Sequence, residues 1–113
     1  MESAVVFDLE GRVIYHHAPH GRSAVSIPDS RTLWDILWEN RGNLGGVAHS
    51  HPWNGVAAPS QTDVTTFQAV EAALGKRLAW PIVTFSETVT FRWDGQHYSP
   101  SEPFEFDDKL LGG

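Results

Sequence analysis

Two histidines and one aspartate carry most of the chemistry in this sequence: His49 and His51 in His49-Ser50-His51-Pro52, and Asp63 in Pro59-Ser60-Gln61-Thr62-Asp63. Histidines at i and i+2 on the end of a strand project to the same side of the sheet, so their imidazoles can converge on one cation. An Asp in the first turn of the next helix supplies a third ligand once the intervening loop folds back. Two neutral nitrogens and one carboxylate suit Zn²⁺ and leave the fourth tetrahedral position open for water. Such a zinc acidifies its water and polarises a bound carbonyl, so the set describes a hydrolytic site rather than a structural one. Each piece also has an ordinary reading. His-x-His occurs in solvated loops, and Ser60-x-x-Asp63 is also a capping box near the positive end of a helix. The ordered combination of apolar strand, His-Ser-His-Pro, Gly/Pro loop and Pro-Ser-x-x-Asp favours the metal.

The surrounding sequence contains the elements such a site requires. Ser3–Asp8 and Arg12–His16 are apolar, β-branched runs joined by a short turn at Gly11, the pattern of an antiparallel hairpin. Ala24–Ile27 reads as a short strand. A first helix is expected over Ser30–Arg41, capped by Asp29 or Ser30 and stopped by Gly42, with Leu33, Ile36 and Leu37 on one face. Leu44–Ala48 is an apolar strand leading directly into the histidines. A second helix is expected over Ser60–Leu74, with Val64, Phe67, Val70 and Leu74 on one face and Gly75 at its end. Leu78–Thr84 and Thr88–Trp93 read as strands, and Asp94-Gly95 as a turn into Gln96–Ser99. Phe104 and Phe106 alternate as on a last edge strand. These elements predict a single α/β domain over residues 1–113, with a mostly antiparallel sheet, two helices and an acidic tail at 102–113.

Composition narrows the function classes. Fourteen acidic against eight basic residues give a net charge of −6, which disfavours nucleic acid as the main partner. With no cysteine there is no thiolate metal site, disulfide framework or thiol nucleophile. No apolar run approaches the ~20 residues needed to span a bilayer, so no membrane partner is expected, and a cytoplasmic location is. The His16, His17 and His20 cluster reads as a solvated loop more readily than as a second metal site. His97 is expected to be structural or exposed. Trp34, Trp38, Trp80 and Trp93 are expected mostly in the core. Trp53 follows the histidines directly and is placed either at a substrate groove or in packing. The terminal Gly112-Gly113 is comparable to the tail of a ubiquitin-like protein, but two residues carry no argument.

His49-Ser50-His51-Pro52 with Pro59-Ser60-Gln61-Thr62-Asp63 resembles the JAMM motif (JAB or MPN+) of zinc metallopeptidases that cleave ubiquitin-like proteins from their conjugates. The likeness covers about Glu2 to Thr90, with a loop between His51 and Asp63 one residue longer than the family's usual one. It implies an MPN/JAB-like, cytidine-deaminase-like fold with a curved mixed sheet. It implies Zn²⁺ as cofactor, held by His49, His51 and Asp63. It also implies a Glu acting through the metal-bound water and a Ser, here Ser60, donating to the oxyanion. For the Glu, Glu2 is the expected residue because it immediately precedes the first strand. Glu10, in the hairpin turn, is the runner-up, and Glu39 is read as surface. The family usually places a helix before this Glu, so a partner completing the site is one expectation. The implied substrate is an amide bond after the C-terminal glycine of a ubiquitin-like or sulfur-carrier protein. The alternatives are a non-catalytic MPN-type interaction domain, or a related hydrolase of small amides or a peptidyl-cysteine carrier.

Overall fold

The computed structural model describes residues 3–17, 31–51 and 55–106. The chain runs β1 (Ala4–Asp8), β2 (Val13–His17), α1 (Arg31–Glu39), β3 (Leu44–Ser50), α2 (Gln61–Leu74), β4 (Trp80–Val83), β5 (Thr88–Trp93) and β6 (Tyr98–Pro100). The strands form one open, mixed, six-stranded sheet in the order β2-β1-β3-β4-β5-β6. Every neighbouring pair is antiparallel except β3–β4, which is parallel because α2 forms the crossover between them. No helix among the described residues is long and apolar enough to cross a membrane.

Directly paired residues share a face of the sheet. The ladders therefore place Tyr15, Ala4, Val6, Val47, His49, Trp80, Ile82, Phe91 and Tyr98 on one side. Phe67 of α2 stacks on Trp80 at 4.2 Å between ring centroids and meets Tyr98 edge-on at 5.2 Å. Leu33 and Leu37 of α1 belong to the same continuous core. The opposite face has a smaller core, in which Phe7, Ala48 and Ala79 are covered by Phe104 and Phe106.

The C-terminal segment differs from the expected edge strand. Residues 101–106 form no strand. Ser101 N–H donates to Thr90 O, and beyond it Phe104 and Phe106 lay their rings on Phe7 at 5.0 and 4.9 Å. Their alternation marks two contacts of a strap rather than a pleat. Gly11, at φ +84°, lets the β1–β2 turn lie under that strap, where a Cβ would meet Glu105 O at 2.1 Å. The first helix is shorter than its sequence suggested, ending at Glu39 before a turn that leads into β3. Trp38 is half exposed with the Arg41 guanidinium 3.9 Å over its ring, so it is not a core residue. Trp80 is fully buried, as expected. His16 and His17, expected in a solvated loop, instead end β2 and pair with Val5 and Ala4, because the strand runs one residue further than its apolar pattern. The Ala24–Ile27 run, His20, Trp53 and the Gly112-Gly113 end lie outside the described residues.

Gly46 sits where β3 crosses closest to its neighbours. A Cβ there would meet Ala79 O at 2.0 Å and the Phe7 ring at 2.8 Å. Gly46→Ala should lower unfolding free energy by roughly 3 kcal/mol, the upper end of the usual cost of overpacking, read as a lower urea midpoint at unchanged m-value.

Candidate metal centre

The site forms where the end of β3 meets the start of α2. His49 lies within β3, paired with Ala4 on one side and Ile82 on the other. His51 N–H donates to Val83 O at 2.8 Å, so the backbone stays tied to β4 one residue past the strand. The two rings therefore keep the same-side relation that strand alternation dictates. Both are buried, at 0% and 2% exposure, and His49 has Phe67 edge-on at 6.0 Å.

Asp63 reaches the histidines from the first turn of α2. Ser60 is the N-cap, with Asp63 N–H donating to Ser60 Oγ (3.1 Å) and Ser60 N–H donating back to Asp63 Oδ2 (3.0 Å). That same Oδ2 stands 3.1 Å from His51 Nε2 and 3.3 Å from His49 Nε2. Capping box and ligand are thus not alternatives here. The cap fixes the carboxylate's rotamer, and the fixed carboxylate faces the imidazoles. Ser60 Oγ accepts in this arrangement, which occupies a lone pair and leaves its O–H proton free to donate outward.

Residues 55–57, ahead of Ser60, are pinned by the β4–β5 turn. Thr84 Oγ1 donates to Gly55 O (3.0 Å), Gly55 N–H donates to Ser86 Oγ (3.0 Å), and Ala57 N–H donates to Glu87 Oε2 (2.6 Å). Sequence reasoning missed these three side chains. The Thr-x-Ser-Glu pattern of the turn was the available signal, but it does not say which loop it will hold.

His49 Nε2 and His51 Nε2 are 3.0 Å apart, so three electron-rich atoms lie 3.0–3.3 Å from one another. Protons alone satisfy such a triangle poorly: two N–H groups donating to Oδ2 would face each other across the third edge. One central cation satisfies all three. With bonds of about 2.0–2.1 Å, the ligands of a tetrahedral ion lie about 3.3 Å apart, close to the spacing seen. The residues present therefore fit a small divalent metal with one face left open.

Protonation states agree with that role. Burial, reinforced by the neighbouring His49, holds the His51 pKa below 6.5 despite the attraction of Asp63. For Asp63, burial pushes upward, but the His49 contact, the Ser60 N–H and His51 together outweigh it and bring the pKa to about 2. Ligands must be deprotonated to bind, and near neutral pH both groups are. His49 Nδ1 is buried without a hydrogen-bond partner among the described residues.

The other singled-out residues lie elsewhere. Glu10 sits in the β1–β2 turn, paired with Arg12 at 2.7 Å. It follows Asp8, which lies about 13 Å along β1 from the Ala4–His49 pair at ~3.3 Å per residue. Glu39 is exposed on α1, and His97 is exposed beside Asp94. Glu2 lies outside the described residues. Ser3 is described, and it is zipped to Ser50, between the two histidines: Ser50 N–H donates to Ser3 O and Ser3 N–H to Ser50 Oγ, both at 3.0 Å.

No protein-family model and no curated protein matches the chain. The assignment of the site rests on its own residues.

Acid should release the metal through the imidazoles. Because burial keeps the His51 imidazole below its ordinary pKa, a bound metal should be held at pH 7 and lost progressively on acidification as protons compete for the imidazoles. Equilibrium dialysis across pH 4.5–7.5 checks this. Retention that is flat across the range would place the metal on carboxylates alone.

Proposed function

We propose that this chain is a zinc-dependent hydrolase of JAMM type, cleaving the amide bond that follows the C-terminal glycine of a ubiquitin-like or sulfur-carrier protein. The observation that carries the reading is the convergence of His49 Nε2, His51 Nε2 and Asp63 Oδ2 with Ser60 held beside them by the capping box. Chemistry and resemblance point the same way. The donor set and its burial suit zinc, and the order of motifs along the chain is that of the family.

His49, His51 and Asp63 would hold the ion, which when bound supplies a Lewis acid for the carbonyl and lowers the pKa of water. The remaining work falls to two side chains. Ser60 Oγ–H donates to the oxygen of the attacked carbonyl as negative charge develops there, help worth roughly 3 kcal/mol of barrier. Glu2 acts as general base and then general acid. It removes a proton from the attacking water and delivers one to the departing amine as the C–N bond breaks, so water adds across the amide with no net proton change.

The assignment of Glu2 is supported by the Ser3–Ser50 zipper. It ties the residue next to Glu2 to the residue between the histidines, whereas Glu10 is carried to the other end of β1.

A ubiquitin-like protein joined through its terminal glycine to a fluorogenic amine provides the assay. The zinc-loaded chain should release the fluorophore, and a chelator should stop it. Glu2→Gln should keep its zinc and lose at least ~10²-fold in kcat, and Ser60→Ala should lose about 10²-fold. A Glu2→Gln protein turning over at the wild-type rate removes Glu2 from the mechanism. Zinc uptake with no turnover of any such amide favours the non-catalytic interaction domain.

A further inference from the structure

How far Asp63 reaches towards the histidines depends on where α2 sits along its own axis. The buried residues of this helix are Asp63, Phe67, Val70 and Glu71, which lie on one face. Glu71 is eight positions beyond Asp63, roughly 12 Å along the axis at 1.5 Å per residue. A glutamate buried beside Phe67 and Val70 is costly unless its oxygens are fully paired.

They are. Arg77 Nη1 (2.9 Å) and the Tyr98 hydroxyl donate to Glu71 Oε1, while Leu78 N–H and Trp80 Nε1–H, both at 2.9 Å, donate to Oε2. Four donors meet the four lone-pair directions of the two oxygens. Burial and the contact with Glu71 push the Tyr98 hydroxyl well above its ordinary pKa, so it remains a donor. The donors come from the α2–β4 connection, β4 and β6, so a single carboxylate ties the helix to the sheet in several directions. Trp80 is two residues before Ile82, the partner of His49. Phe67 fills the space between, stacked on Trp80 and edge-on to His49. Apolar packing is non-directional and tolerates sliding. Four hydrogen bonds to one carboxylate do not.

We infer that Glu71 is a positioning residue for the metal centre: its four-donor anchorage fixes the axial register of α2 on β4 and thereby the reach of Asp63 to His49 and His51. The inference rests on the metal reading of the site and on nothing about the substrate.

The test compares wild type, Glu71→Gln, Tyr98→Phe and, as a core control on α1 with no bond to Glu71, Leu37→Val. Zinc affinity is measured by competition with a chelating indicator, Co²⁺ loading is followed by its visible ligand-field spectrum, and melting is followed without metal. Glu71→Gln should weaken zinc binding by about 10-fold, the lower end of the scale for groups bonded directly to metal ligands because Glu71 acts on Asp63 only through α2, and should alter the Co²⁺ bands. Tyr98→Phe, which deletes one of the four donors and little volume, should weaken zinc in the same direction but by less than Glu71→Gln. Leu37→Val should lower the melting temperature and leave both metal readouts at wild type. If Glu71→Gln does not fold, Tyr98→Phe against Leu37→Val decides the question. Glu71→Gln and Tyr98→Phe proteins that melt lower but keep wild-type zinc affinity and Co²⁺ spectrum overturn the inference alone. A wild-type chain that binds neither ion overturns it together with the reading on which it rests.

Discussion

Three lone pairs pointed at one spot, with buried protein behind them, are the constraint around which this fold is arranged. Two imidazole nitrogens and a carboxylate oxygen within 3.3 Å of one another would repel or compete for protons in isolation. They stay together because each is held from behind. His49 is locked between β1 and β4, and His51 is tied by its backbone to Val83. Asp63 is fixed by the capping box and by the positive end of its helix. The parallel β3–β4 pair is what makes the geometry available. A parallel pair needs a crossover connection, here α2, and this crossover starts over the end of the strand it has just left.

The supporting structure is uneven in chemistry. On the helix-covered face, aromatic packing of Phe67, Trp80 and Tyr98 surrounds a single saturated carboxylate. On the other face, an irregular segment lays two phenylalanines on Phe7. Ahead of Ser60, residues 55–57 are held by polar side chains of the β4–β5 turn, with Val56 and Phe85 exposed. Rigid apolar packing thus lies beneath the His49, His51 and Asp63 side chains, which holds the three groups in fixed positions.

Local signals made the centre of this site legible. The i, i+2 spacing of His49 and His51 placed both on one side of a strand, and Ser60-x-x-Asp63 marked a helix start; both follow from backbone periodicity and capping chemistry alone. α2 runs as its apolar spacing indicated, to the left-handed Gly75 at φ +69°. What was not legible depended on partners distant in sequence. The alternation of Phe104 and Phe106 has the period of a strand, yet the contact they answer is Phe7, about a hundred residues earlier. Trp38 follows helical spacing, but α1 turns it outward against Arg41. Glu71 interrupts the apolar face of α2, and only the tertiary structure identifies the four donors that justify its burial. The preference for Glu2 over Glu10 came from motif order alone; the run of β1, which carries Glu10 away from the histidines and brings Ser3 to Ser50, was not legible in it.

The claim underlying the whole account is that one divalent cation sits at equal reach from His49 Nε2, His51 Nε2 and Asp63 Oδ2. X-ray data from zinc-grown crystals, collected above and below the zinc absorption edge, test it directly. The account predicts a single strong anomalous peak about 2.0–2.2 Å from each of the three atoms. A map with no peak there, or with the zinc on other side chains, would contradict it.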